Sequence, residues 1–432
     1  MFSRTSTLWY TVLPAFLRLP VRKLRILTVA SLLIGTCTNA YAAGWTQWGG
    51  PTRDFKVATT GLAERWPESG PKRLWTRPLG KGYSAIAAAD GKLYTLYQDG
   101  DTDVVVALRA DTGQTVWEYR SPASTFPKQR LDFGKGPNST PLVRDDRVIT
   151  VGFTGKMHCL SLDSGKPIWS RDLVGDFDGK KQEFGYSASP IMYKSAIITL
   201  VGGEKTGVVA LDPKDGAVIW KSEPHDISYA SPIVINVDGQ DQIVFFSSTE
   251  VIGLDAGNGR TLWRHPCKNR FKNNATDPIW AQDNLLWVAT QSDGGTRVLR
   301  LTQRDGKTDV KEVWFNGKVK LFHWNAIRIG DYVYASIGGT TTTFSAVNIK
   351  TGEIAWRERG FHKALCLYAD QKLILLDEKG QLALAKVSPE GIDIRSKVQL
   401  LETEDVSWTV PTLVGKTLYI RDNQNILALD LG

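Results

Sequence analysis

The chain has 432 residues, 42% of them hydrophobic and 23% charged, with 40 glycines and a formal net charge of +8. Those proportions exclude a disordered or fibrous protein and leave enough apolar chain for a large core. Arg4, Arg18, Arg22, Lys23 and Arg25 place +5 of the charge in residues 1–42, which hold no acidic residue; the rest of the chain carries only +3, without the concentrated basic run that a nucleic-acid surface needs.

Residues 1–42 read as a signal peptide. Arg22-Lys23-Leu24-Arg25 is a basic flank, Ile26–Ile34 is an apolar stretch too short to span a bilayer, and Ala40-Tyr41-Ala42 offers small residues at the two positions a signal peptidase reads. Cleavage is expected near Ala42, giving an exported periplasmic or extracellular protein whose membrane association is at most peripheral; the alternative is a retained anchor. Ile34-Gly35-Thr36-Cys37 is a poor lipoprotein signal, and cleavage after Ala42 would remove Cys37. Cys159, Cys267 and Cys366 then remain, none adjacent or in a CxxC arrangement, and read as small, buried, semi-apolar residues.

Residues 43–70, with Trp45-Thr46-Gln47-Trp48-Gly49-Gly50-Pro51, read as an extended arm laying two indoles on the surface of the domain that follows. A partner-binding tail is its alternative.

From residue 71 a repeat dominates. VALRADTGQTVW (106–117), LSLDSGKPIW (160–169), VALDPKDGAVIW (209–220), IGLDAGNGRTLW (252–263) and AVNIKTGEIAW (346–356) share a strand, a turn ending in Gly, and Trp four residues after that Gly. A looser copy occupies 299–314. The glycine supplies the positive φ of a tight hairpin, and the Trp offers a flat face to a neighbouring unit. Midway between the tryptophans lies a second half-repeat, as in Ser139-Thr140-Pro141, Ser189-Pro190, Ser231-Pro232, Asp277-Pro278 and Val410-Pro411, with weaker copies at 85–93, 326–333 and 364–373. Two hairpins per period make a four-stranded unit, and Trp75, Trp117, Trp169, Trp220, Trp263, Trp314 and Trp356 recur at blade-sized intervals as structural docking residues. A seventh unit has Leu382–Val387 as its third strand and no Trp; the eighth stops after Ile426–Gly432. The expected fold is all-β, an eight-bladed β-propeller of four-stranded antiparallel blades over 71–432, closed by the strand 71–76 joining the blade of 399–432.

The Ala-Leu-Asp…Gly…Trp units resemble the tryptophan-docking motif of the pyrroloquinoline-quinone (PQQ) repeat family, which includes quinoprotein dehydrogenases and the outer-membrane assembly lipoprotein of the β-barrel insertion machinery. The resemblance implies the propeller and says little about chemistry. The chain lacks the adjacent Cys-Cys pair of the dehydrogenases, so the resemblance leans to the assembly lipoprotein, although the lipid-attachment signal is missing.

In a propeller, the loops entering the inner strands line one mouth of the central channel. Here they carry Tyr83, Asn138, Tyr186, Tyr229, Asn274, His323, Trp324, His362 and Trp408, aromatic and polar groups of the kind that line ligand or peptide sites. Packing between blades is the competing role for any of these rings. His323 and His362 come from equivalent loops, but no third ligand follows from the spacing, so no metal is expected. No GxSxG elbow or HExxH helix occurs. The sequence therefore points to a non-catalytic scaffold without a cofactor, contacting an envelope or extracellular protein at the channel mouth. The alternatives are a PQQ- and calcium-dependent dehydrogenase-like quinoprotein and a glycan-binding propeller.

Overall fold

A computed structural model describes residues 44–401 and 406–432; the signal-peptide reading of residues 1–42 lies outside them. The described residues form strands and no helix, arranged in eight antiparallel sheets that follow one another along the chain. Blades 1 to 7 span residues 87–122, 142–172, 191–221, 233–266, 279–316, 327–358 and 365–399, each with its strands in sequence order. In blade 8, Thr412–Val414, Thr417–Arg421 and Asn425–Asp430 are joined by Lys72–Pro78, which pairs antiparallel with Asn425–Asp430. Ring closure thus uses the strand bearing Trp75, which supplies blade 8 with its fourth strand.

Strand position within a blade follows from side-chain pattern. Second strands are flanked by neighbouring blades on both faces and read as mostly apolar runs: Ala196–Leu200, Leu285–Ala289 and Lys372–Leu376 are buried throughout. Fourth strands face solvent on one side, so Thr115–Pro122 and Ile354–Glu358 alternate between covered and exposed residues.

Adjacent blades meet at the repeat tryptophans. The indole N–H of Trp75 donates to the Ala110 carbonyl at 3.0 Å, that of Trp117 to Leu162 at 3.0 Å, and that of Trp169 to Pro213 at 2.9 Å. Trp314 and Trp356 reach Ile349 and Ser388 at 2.8 and 2.9 Å. Each acceptor lies in or next to a turn of the next blade. Trp220 lies against Gly259 in the same manner.

Trp263 departs from the expected role. Its ring packs on Gly253 of its own blade and its N–H donates to Gln242 Oε1 at 2.7 Å. The cause is in blade 5, whose outer hairpin (Thr296–Arg304 and Lys307–Asn316) is long and carries its turn beyond reach, with open space where a Cβ of Gly306 would stand. Gln242 carries the connection instead, donating from Nε2 to Thr308 Oγ1 of blade 5 at 2.8 Å.

The seam between blades 8 and 1 is held by a residue with no place in the repeat. Arg421 is fully buried; its guanidinium donates to the Leu96 carbonyl (2.7 Å), Thr95 Oγ1 (3.1 Å) and the carbonyls of Gly80 (2.9 Å) and Ser84 (3.3 Å). Burial pulls its pKa down to about 10, so it stays charged at neutral pH.

The first part of the arm, residues 44–57, does not lie on the ring surface; it follows the inner strands. Trp45 is 2% exposed. Carbonyls of Trp45 and Thr46 accept from Ala88 and Val143 on the inner strands of blades 1 and 2, Arg53 donates to the Pro232 carbonyl at the entry to blade 4, and Lys56–Val57 pairs in parallel with the inner strand Leu365–Ala369 of blade 7. Beyond it, the Thr59 hydroxyl donates to the Gly415 carbonyl of blade 8.

Candidate functional site

Residues 44–57 reach the inner strands near the ends that carry turns such as Asp90-Gly91, since Gly44 lies against Ala88 and Ala89. The loops entering the blades gather at the opposite ends and surround a cup of about 230 Å³. Its wall is a chain of touching rings. Trp408 stands 4.1 Å from the His323 ring, 4.9 Å from Phe133 and 5.4 Å from Tyr83, centroid to centroid. Phe133 continues to Phe184 at 6.4 Å, and Phe184 meets Tyr229 edge-on at 5.7 Å. These separations are typical of favourable aromatic pairs, so the wall is self-supporting.

Polar contacts set the ring positions. Trp408 Nε1 donates to Glu378 Oε2 at 3.0 Å, and the same carboxylate pairs with Lys363 Nζ at 2.9 Å. Asn138 Nδ2 donates to the Phe184 carbonyl and Ser187 Oγ, both at 3.0 Å, tying the entry loops of blades 2 and 3 together. Arg130 lies over the Phe184 face at 4.9 Å and is paired with Asp132 at 2.9 Å.

The floor comes from the arm. Trp48 Nε1 donates to Asp277 Oδ2 at 2.5 Å, and Asp277 Oδ1 accepts the Ser231 N–H at 2.7 Å. Burial raises the Asp277 pKa to about 6, against the opposing pull of the Arg53 charge and these two hydrogen bonds. Below lies a second cavity of about 570 Å³ between the arm and the inner strands of blades 2 to 6; Trp48, Asp277 and His323 border both spaces. The arm therefore divides the channel and makes the upper part a blind cup.

Three residues that line the cup each hold a buried polar atom without a protein partner: Asn273 Oδ1, Gln291 Oε1 and His323 Nε2. The His323 pKa is lowered to about 3 by burial, with the Lys363 charge adding to the effect, so the ring is neutral at physiological pH.

Of the nine residues expected at the mouth, Tyr83, Asn138, Tyr229, His323 and Trp408 line the cup. The other four do not meet there. Tyr186 is 3% exposed and donates to the Lys180 and Val201 carbonyls, packed over Gly155. Asn274 is buried as a brace, its amide donating to the Ser247 carbonyl. Trp324 sits in the core, with its N–H on the Ser336 carbonyl and its ring stacked on Phe322. His362 is exposed away from the cup, so it does not approach His323 as a ligand pair. Sequence reasoning missed Phe133, Phe184, Phe322, Arg130, Gln291 and Trp48. A signal existed for the first two: Phe133-Gly134 and Phe184-Gly185 repeat in equivalent entry loops.

Comparison with known proteins agrees with this architecture. The family model described as outer membrane protein assembly factor BamB matches residues 63–152 and 102–358. The chain belongs to that family. An uncharacterized protein of Rickettsia conorii is 22% identical over 247 residues, which cover 55% of this chain and 57% of that protein's length. The crystal structure of BamB from Moraxella catarrhalis superposes with a TM-score of 0.56 at 16% identity, covering 83% of this chain and 99% of the other. A quinohemoprotein alcohol dehydrogenase from Comamonas testosteroni gives 0.60 at 12% identity, over 91% and 81%. At such identities both likenesses speak for the fold.

Among the described residues no three His, Cys, Asp or Glu side chains gather closely enough to hold a metal ion. Cys159, Cys267 and Cys366 are buried and unpaired, two in separate blades and the third just beyond blade 4. Burial pushes the first two thiols up to about 12 and the third further, so none is a reactive thiolate.

Proposed function

We propose that the chain is an exported, non-catalytic propeller scaffold that binds a protein of the cell envelope at the aromatic cup. One observation carries the reading: every entry loop except that of blade 7 sends a residue to a single concave, closed-bottomed site. Aromatic anchors in a desolvated recess are the usual energetic centre of protein recognition. Family membership supports the same reading, since the matching model is described as an outer membrane assembly factor. The residues give a calcium-held quinone little support: the one carboxylate at the floor, Asp277, already accepts two hydrogen bonds, and among the described residues no three His, Cys, Asp or Glu side chains gather to hold a metal ion. Adding the quinone with calcium to the purified protein is expected to give neither binding nor reduction of an electron acceptor.

The direct test is photo-crosslinking in intact cells, with a photoreactive amino acid at Phe133, which is 51% exposed. An adduct with one envelope protein, lost in Trp408→Ala and absent when the probe replaces Val116 on an outer strand, supports the scaffold. A cup that yields no protein adduct while the purified chain retains an immobilised glycan overturns it.

A further inference from the structure

We infer that the cup takes the guanidinium of an arginine side chain presented by the partner. The assignment rests on the scaffold reading above and adds the chemistry of what enters. Size restricts the occupant. At about 230 Å³, with its bottom closed by Trp48, the cup is smaller than the pockets that enclose whole small molecules, and it suits one long side chain entering end-on.

The wall favours a cation. Trp408, Phe133, Phe184 and Tyr229 present ring faces and edges to one space, and aromatic faces attract cations. The structure already shows a guanidinium accommodated on this wall, that of Arg130 over Phe184. Its charge is matched by Asp132, and that of Lys363 by Glu378, so neither is left unbalanced against an incoming cation.

Unpaired oxygens beside the cup favour a donor. Gln291 is 4% exposed; its Nε2 is used by the Asn273 carbonyl at 3.2 Å, yet its Oε1 has no partner. Oδ1 of Asn273, which also lines the cup, is likewise unpaired. Two buried acceptors left open call for a ligand with several donors, because an unpaired buried acceptor is costly and a donor that meets it recovers the loss. A guanidinium carries five donors in a plane, stacks on rings and sheds water more readily than an ammonium, so it answers wall and oxygens together. A carboxylate answers neither, and an apolar side chain leaves both oxygens unpaired.

The test uses the purified chain and blocked pentapeptides Gly-Gly-X-Gly-Gly, with X as Arg, Lys, norleucine, Trp or Glu, followed by calorimetry and by the ring-current shift of the X side-chain protons. The arginine peptide is expected to bind at least about ten-fold more tightly than norleucine, the factor that about 1.4 kcal/mol of discrimination gives. Its δ-methylene protons should move upfield. Gln291→Leu should remove most of that preference, and Trp408→Ala should remove binding. Equal binding of norleucine or tryptophan, a preference for Glu, or no saturation by the arginine peptide overturns the assignment. If these occur while the Phe133 crosslink remains dependent on Trp408, only the guanidinium assignment falls; if that crosslink is also absent, the scaffold reading falls with it.

Discussion

Trp48→Phe isolates the hydrogen bond that fixes the arm beneath the cup. Phenylalanine keeps a ring beside Phe55, which Trp48 meets edge-on at 5.2 Å, but cannot donate to Asp277. With the carboxyl neutral, the lost bond costs about 1 kcal/mol; with it ionised, about 2 kcal/mol. Shrinking the ring adds about 1 kcal/mol at any pH. The sign follows from linkage. The Trp48 N–H favours the carboxylate, so its loss raises the folded-state pKa of Asp277 above its present value of about 6, while the unfolded value stays near 3.9. An acid whose folded pKa is raised contributes stability at low pH that is lost as pH climbs through that pKa. The variant is therefore expected to lose about 2 kcal/mol at pH 4.5 and about 3 kcal/mol at pH 8, an excess matching a shift of somewhat under one pKa unit. Urea denaturation of both proteins at the two pH values, followed by circular dichroism, measures the difference, and other titrating groups cancel between them. An equal loss at both pH values, or a larger one at pH 4.5, refutes the placement of Trp48 on an ionisable Asp277.

Gly91 and Gly113 of blade 1 share a φ near +70°, but a Cβ on Gly91 would meet nothing whereas one on Gly113 would come within 2.7 Å of the Trp75 ring. Gly91→Ala should cost about 1 kcal/mol from the backbone alone and Gly113→Ala about 1–3 kcal/mol more, read from urea midpoints. Gln242→Leu should destabilise by about 2 kcal/mol by stranding the Trp263 N–H, and should be non-additive with Trp263→Phe in a double-mutant cycle. In proton NMR, the His323 ring should show no titration between pH 8 and pH 5; an inflection near 6.5 would contradict its burial. His158 and His225 are lowered by burial to about 4. An unfolded histidine takes its proton near pH 6.5, so these three side chains support the fold above that value and the support is lost as pH falls toward 4.

The ring was legible because propeller blades repeat the same physics. Gly-to-Trp spacing marks the outer hairpin, and mostly apolar runs such as Ala196–Leu200 mark the second strands. Trp263 shows where the repeat stops being informative: its own motif is intact, and its contact fails because the next blade's hairpin is longer. Arg421 shows the converse, a residue outside any motif that makes the seam of the ring. The site was less legible because residues in equivalent loops need not point the same way. Tyr186 and Tyr229 both precede inner strands, yet one ring is drawn between blades onto Gly155 and the other turns to the axis.

What breaks the equivalence of the blades is where function can reside. An unadorned ring of similar units presents an open channel with near-symmetric mouths, and neither mouth favours one ligand. Two departures remove that symmetry here. The long entry segments 123–141 and 173–190 supply Arg130, Phe133, Asn138, Phe184 and Ser187, which bias the cup toward blades 2 and 3. The arm then closes the channel from the far side with an indole on a half-buried carboxylate. Both are non-repeating, and both are irregular in composition, so periodicity cannot reveal them. The cup therefore depends on the arm for its depth and on two loops for its walls, while the tryptophan repeat supplies only the frame that brings them together. A chain sharing this repeat but lacking these three segments would share the propeller and not the cup.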